Sequence, residues 1–255
     1  MLSFTDVKVG YGNRTVLERM SINFPENKIC SIIGPNGSGK STLLKAAIGI
    51  IPCTSGFISI ANIPLGDMNH RERARLVAYL PQSRPLPDLH ALTLIQHGRF
   101  PHMGFSKTLS PLDNEKVEKA ILLTDTGSLL HRKLPSLSGG ELQRVYLAMA
   151  ISQDAKLLLL DEPASHLELR YQLELFEILV KLKEAGKTII FVSHDLPQAF
   201  TFADSVCVIH NGNILIHNSP DEVLRQGQLP GVFGYSLGIT DEQSDSLYHY
   251  QIRMV

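Results

Sequence analysis

The sequence predicts an α/β fold, a core with a parallel sheet joined to an N-terminal antiparallel β-subdomain and a helical insertion. Three observations carry this. Apolar and polar residues alternate through Leu2–Phe24, the period of half-buried strands. Lys28–Ile33, Leu157–Leu160 and Thr188–Val192 are nearly continuous apolar runs, as strands buried on both faces are. A helix-period segment, Leu169–Glu184, lies between the last two runs, the strand–helix–strand order of parallel pairing.

The elements follow in order. Tyr11-Gly12-Asn13 supplies the turn of an opening antiparallel hairpin. The strand Lys28–Ile33 runs into a glycine-rich turn and a helix from about Lys40. Gly56–Ile63 reads as further antiparallel strand, and Val77–Leu80 as a short strand ending at Pro81. Residues from about Gln82 to Leu134 are rich in Pro, His and helix formers, with helices predicted near Leu92–Gly98 and Leu112–Thr124. The helix Leu169–Glu184 is apolar at Leu173, Phe176, Leu179, Val180 and Leu182 and stops at Ala185-Gly186, a glycine just past the last turn. Val206–Ile209 and Ile214–Ile216 form a hairpin turned at Asn211-Gly212. These elements make one domain over 1–224, with a helical subdomain of about 83–155 inserted in it. Residues 225–255 form a tail whose polar end has no periodic pattern.

The composition narrows the function. Of 255 residues, 44% are hydrophobic and 19% charged, enough for a substantial core. A net charge of −1 gives no bulk attraction to nucleic acid or to an anionic membrane. Cys30, Cys53 and Cys207 are far apart with no C-x-x-C spacing, and read as buried thiols of a reducing cytosol. The start, Met-Leu-Ser-Phe-Thr-Asp, lacks the basic and apolar regions of a signal peptide. The apolar runs are strand length, whereas a spanning helix needs about 20 such residues. A transport role therefore requires a separate membrane partner.

Three motifs carry chemistry. Gly34-Pro35-Asn36-Gly37-Ser38-Gly39-Lys40-Ser41, followed by Thr42, fits the phosphate loop G-x-x-x-x-G-K-[ST] in its required place between a strand and a helix. Its glycines let backbone N–H groups surround the phosphates, Lys40 places a positive charge on them, and the Ser41 hydroxyl can ligate Mg²⁺. The apolar run Leu157–Leu160 delivers Asp161 to the Mg²⁺ shell and sets Glu162 beside it to polarise the attacking water. Leu137-Ser138-Gly139-Gly140-Glu141 is a helix start in which Ser138 and Glu141 can form a capping box. Its two glycines bare N–H groups at the helix N-terminus, a second anion site. One chain already holds its nucleotide at Lys40, so the second site points to a partner's γ-phosphate.

These motifs, in this order, resemble the ABC (ATP-binding cassette) ATPases, and the resemblance covers about Leu2 to Leu224. It implies a P-loop NTPase core with the ABC ATPase fold, ATP and Mg²⁺ as cofactors, and ATP hydrolysis. It assigns Tyr11 to stacking on adenine, a contact of about 1 kcal/mol. Gln82 resembles the glutamine that senses Mg²⁺ and the attacking water and couples to a membrane subunit. His194 resembles the switch histidine at the γ-phosphate. Where the family has Ser-x-Leu-Asp, this chain has Ser165-His166-Leu167-Glu168. The family's aspartate faces the partner's phosphate loop, so the longer Glu168 bears on the geometry of dimer closure.

The resemblance also implies a branch. His97-Gly98-Arg99-Phe100-Pro101-His102 is similar to the Gly-Arg-x-Pro-His found in importers of iron-siderophore, haem and cobalamin, and Pro163–Leu167 resembles the same branch. The implied protein is the ATPase subunit of a metal-chelate importer, peripheral on the cytoplasmic face of the inner (plasma) membrane. Its partners would be a second copy of itself, multi-spanning permease subunits and, indirectly, a solute-binding protein. The alternative is a soluble ABC ATPase of the iron–sulfur cluster assembly type. DNA-repair members need a long coiled coil between phosphate loop and signature, for which Lys40 to Gly139 leaves no room. A P-loop kinase or GTPase is set aside by Leu-Ser-Gly-Gly-Glu and by the lack of a guanine-reading motif. In a two-fold dimer each chain's Ser138–Gly140 would cover the ATP of the other. Glu162→Gln is accordingly expected to give an ATP-bound dimer with almost no turnover. Size-exclusion chromatography in Mg-ATP checks this, and a variant that binds Mg-ATP but stays monomeric contradicts it.

Overall fold

The computed structural model describes residues 1–104, 108–165, 167–233, 235–239 and 250–254. The chain divides into two compact units, Met1–Leu65 with Ile190–Val255, and Gly66–Ile189. Before the division lie β1 (Leu2–Tyr11), β2 (Arg14–Phe24), β3 (Ile29–Ile33), α1 (Lys40–Ala47), β4 (Cys53–Ile60) and β5 (Ile63–Pro64). The second unit then runs through α2 (His70–Leu76), β6 (Val77–Leu80), α3 (Ala91–His97), α4 (Pro111–Leu123), α5 (Gly139–Ser152), β7 (Leu157–Asp161) and α6 (Leu169–Glu184). The division falls inside β8 (Thr188–Val192). The first unit resumes with α7 (Leu196–Phe202), β9 (Ser205–His210), β10 (Asn213–Asn218), α8 (Pro220–Arg225), α9 (Leu229–Phe233), β11 (Tyr235–Ile239) and β12 (Tyr250–Met254).

In the first unit, β2, β1, β4 and β5 form an antiparallel sheet in that order. The sequence shows why β1 and β2 kink. Leu2 and Phe4 are buried on one phase of the alternation and Val7 and Val9 on the other. The extra residue is Asp6, in left-handed backbone at φ 48°, where the pairing with β2 slips register. Ser21 steadies the bulge, its hydroxyl accepting from the Asp6 N–H at 2.9 Å. In the same unit β3 pairs parallel with β9, and β9 antiparallel with β10. The β9–β10 turn is Asn211-Gly212, both at positive φ, as a two-residue hairpin loop requires.

In the second unit β6 pairs parallel with β7, with Leu80 opposite Leu160. Helix α6 ends as the sequence predicts. Gly186 is left-handed, its N–H bonds to Lys183 O, and Lys187 N–H reaches Leu182 O, a complete Schellman cap. Its buried stripe, however, is Leu175, Phe176, Ile178, Leu179 and Leu182. Leu173, one of the apolar positions named from sequence, is exposed. At 100° per residue Leu175, Leu179 and Leu182 lie on the side of the helix opposite Leu173, which therefore faces outward.

Two stretches given no element from sequence have regular structure. Residues 70–76, unassigned from sequence, form α2, started by an Asn69–Glu72 capping box. The tail has regular structure: α8, α9 and the antiparallel pair β11–β12. Among the described residues no helix is long and apolar enough to cross a membrane.

The helical segment is organised around one buried ion pair. Arg99 Nε lies 2.9 Å from Asp113 Oδ1, with side chains only 3% and 8% exposed. Arg99 also donates to Ser152 O at the end of α5, and Asp113 accepts from the Ser110 hydroxyl and N–H at the start of α4. Gly98 lets α3 approach α5 closely, since a Cβ there would collide with Met149 O and Ser152 Oγ. Burial alone would raise the Asp113 carboxyl. The Ser110 hydrogen bonds and then Arg99 outweigh it and hold the group at about 2. Because the folded value is the lower one, the stability Asp113 supplies is present above pH 4 and is lost as pH falls from about 4 towards 2. Arg99→Ala, which leaves that carboxylate buried and unpaired, is expected to cost about 3–5 kcal/mol at neutral pH. Urea unfolding measures it, and a variant within 1 kcal/mol of the parent contradicts the assignment.

Candidate functional site

The sequence-predicted residues divide between the units. Tyr11, residues 34–42 and His194 belong to the first; Gln82, Ser138–Gly140, Asp161 and Glu162 belong to the second.

The phosphate loop leaves β3, whose five residues are all buried, and enters α1. Gly39 precedes the helix at φ 108°, and a Cβ there would strike the Leu17 side chain of β2. A Cβ on Gly34 would strike Ile209 O of β9. The loop is tied to the β9–β10 turn by a hydrogen bond from Gly212 N–H to Ser38 O at 3.2 Å. Lys40 is buried, and its ammonium donates to Gly34 O at 2.8 Å and Pro35 O at 2.9 Å, curling the loop over itself. Ser38 Oγ is buried without a hydrogen-bond partner among the described residues. A phosphate oxygen is the acceptor such a donor calls for. With the Lys40 cation and a helix N-terminus beside it, the loop fits the triphosphate of ATP.

The acidic half lies in the second unit. Asp161, at the end of β7, is almost fully buried and accepts from the Tyr79 hydroxyl at 3.4 Å. Glu162 follows in left-handed backbone, φ 51°, which turns its side chain off the strand. The register Leu80 opposite Leu160 brings the residues two beyond each member of that pair to the same level. These are Gln82 and Glu162, and Gln82 Nε2 donates to Glu162 Oε2 at 2.6 Å. The Ser165 hydroxyl donates to the same oxygen at 2.9 Å. The oxygens predicted as Mg²⁺ donors, Ser41 in the first unit and Asp161 and Gln82 in the second, are hard donors of the kind that ion takes. Among the described residues no group of three or more His, Cys, Asp or Glu side chains could hold a metal.

The signature segment folds as its sequence reads. Ser138 caps α5, its Oγ accepting from Glu141 N–H at 3.3 Å while Glu141 Oε2 accepts from Ser138 N–H at 2.7 Å. These bonds, the Ser138 N–H first, hold the Glu141 carboxyl below its ordinary range, and Arg132 adds to them at 2.7 Å. Gly139 meets nothing where a Cβ would stand, whereas the Tyr171 ring of α6 packs against Gly140.

Tyr11 stands 51% exposed at the end of β1, open to a stacking partner. His194 is exposed just after β8, between Ser193, whose N–H bonds to Ile32 O, and Asp195, whose carboxylate caps α7. Glu168 sits at the N-cap of α6 without a side-chain cap bond. His166 lies outside the described residues. In the Gly98–His102 segment Arg99 is the buried strut, Pro101 O accepts from Arg71 and Arg75, and His102 bonds Gln153 O at 2.9 Å. Sequence reasoning missed Tyr79 and the direct bond of Ser165. The signal for the first was a lone phenol in the apolar run Val77–Leu80; for the second, a hydroxyl three residues after a strand-end acid.

A phosphate loop with a buried lysine, a strand-end acid pair and a capped Ser-Gly-Gly helix start define a nucleotide-hydrolysing P-loop protein of the cassette type. The ABC transporter family model matches residues 17–165. The iron(3+)-hydroxamate import ATP-binding protein FhuC of Bacillus subtilis is 36% identical over 91% of this chain and 87% of its own. The hemin import ATP-binding protein HmuV of Shewanella denitrificans is 35% identical over 97% and 98%. A metal-chelate type ABC transporter in an inward-facing conformation superposes with a TM-score of 0.84 at 23% identity, over 100% of this chain and 97% of its own. That likeness shows the fold, an ABC ATPase. The chain belongs to the ABC transporter family as an ATP-binding cassette.

Lys40→Ala removes a charge-assisted hold on the loop and the cation meant for the phosphates. ATP affinity is expected to fall about 10- to 100-fold. Titration with a fluorescent ATP analogue checks this; unchanged affinity would remove Lys40 from the site.

Proposed function

We propose that this chain is the ATP-hydrolysing subunit of a membrane importer, with an iron chelate as first cargo and haem or a cobalamin-type solute next. The relatives named above, which match nearly the whole chain, support the cargo class. The observation that carries the coupling is the 2.6 Å bond from Gln82 to Glu162. Gln82 opens the segment that we assign to contact with a permease. A movement of that segment would therefore pull directly on the carboxylate that acts on water.

In this reading Gly34 to Thr42 bind the phosphates, with Lys40 as the cation, and Tyr11 stacks on adenine. Ser41, Asp161 and Gln82 would hold Mg²⁺, whose charge would offset that of the phosphates. Glu162 orients and polarises the attacking water, and His194 reads the γ-phosphate. Ser138, Gly139 and Gly140 receive the nucleotide of a second copy, so ATP closes a homodimer and hydrolysis lets it reopen. The helical segment of about 83–155 serves as an inserted subdomain that carries this motion. The assembly sits on the cytoplasmic face of the inner membrane, held there by permease subunits and supplied by a solute-binding protein.

Co-purification tests the proposal. Tagged Glu162→Gln, expressed in its native cell and recovered from gently solubilised membranes, is expected to bring a multi-spanning subunit with it. An accompanying binding protein would point to the cargo. Soluble partners alone, with nothing in the membrane fraction, would overturn the importer reading in favour of a soluble ABC ATPase.

A further inference from the structure

We infer that Ser165 is a positioning residue that aims the Glu162 carboxylate, an inference that rests on Glu162 acting on the attacking water. Ser165 touches Glu162 twice. Its N–H bonds to Glu162 O at 3.2 Å, closing the turn after β7, and its hydroxyl donates to Glu162 Oε2 at 2.9 Å. The turn it closes contains an uncommon conformation, a glutamate at φ 51°. Such a backbone persists only where its surroundings over-determine it. Here the main-chain bond holds the turn and the hydroxyl bond fixes where the side chain points.

The second donor on Oε2 is of a different kind. Gln82 is exposed and stands on the segment after β6, far along the chain. Ser165 is half-buried and belongs to the same turn as the carboxylate. The two donors therefore divide the task. Gln82 links Glu162 to a segment far along the chain, and Ser165, in the turn of Glu162 itself, keeps the carboxylate aimed. A base displaced by about 1 Å loses up to 100-fold in rate. The loss from an unaimed Glu162 belongs to kcat, because the phosphate loop that binds ATP is untouched.

Steady-state Mg-ATPase assays on the full-length chain decide this. Ser165→Ala keeps the main-chain bond and removes the hydroxyl, and is expected to lower kcat about 10- to 100-fold with KM for ATP within about twofold. Ser165→Thr, which keeps a hydroxyl, is expected to restore most of the loss. Should the alanine variant not fold, the near-isosteric Ser165→Cys, a weaker donor, gives the same comparison. A parental kcat in the alanine or cysteine variant, a raised KM with kcat intact, or a threonine variant as slow as alanine would each overturn the role. Glu162→Gln run beside them separates the two layers. Parental turnover in that variant overturns the base assignment and this inference with it; an inactive Glu162→Gln beside a fully active Ser165→Ala overturns the inference alone.

Discussion

The approach of the phosphate loop to its neighbours in the first unit is the constraint on which the nucleotide-binding half depends. The loop runs so near Ile209 O and Leu17 that neither Gly34 nor Gly39 has room for a Cβ. That proximity lets Gly212 N–H reach Ser38 O and lets Glu18 N–H reach Gly212 O at 3.4 Å, so β2, the loop and the β9–β10 turn are bonded in series. A loop that turns its own N–H groups towards a ligand cannot satisfy them internally. It needs external walls to keep that shape, and these strands provide them. The Lys40 ammonium on Gly34 O and Pro35 O closes the same loop from within.

The second unit solves a different problem, the aim of a carboxylate. A strand delivers Asp161 into a buried position, but a strand alternates its side chains, and the next residue would point to the opposite face. The left-handed backbone at Glu162 breaks that alternation. The in-register parallel pairing of β6 with β7 then places Gln82 opposite it without any special local sequence. Register does here what a motif cannot, because it joins residues eighty positions apart.

The Gly-Arg-Phe-Pro-His segment shows one stretch serving two ends. Its arginine is the centre of the buried network joining the start of α4 to the end of α5 through Asp113 and Ser152 O. Its phenylalanine is 55% exposed and packs against the His97 ring, tilted to it by 33°, at 4.4 Å between ring centroids. The resemblance to one importer branch thus falls on residues that organise the helical segment, with an aromatic pair left at the surface above them.

Much of this was legible in the sequence because its causes are local. The phosphate loop follows from glycine spacing, the Ser138–Glu141 box from two side chains three residues apart, the Schellman stop of α6 from Gly186, and the Asn211-Gly212 hairpin from two residues that tolerate positive φ. The kink at Asp6 was not seen there: Leu2–Phe24 reads as one alternation, and only the structure shows that Val7 and Val9 fall on the other phase from Leu2 and Phe4. The buried face of α6 was not legible from its apolar positions, Leu173 among them, since a helix with apolar residues on several sides does not announce which of them meets the core. The tail strands escaped because each is only five residues long, and α2 because its seven residues are mostly polar. The sequence by itself determined the chemistry available: which residues could hold phosphate, cap a helix or carry a charge. Only the tertiary structure decided which of them meet, Gln82 and Ser165 on one oxygen of Glu162, Tyr79 on Asp161, Arg99 on Asp113. Those meetings depend on strand register and helix packing, and neither is encoded at any single position.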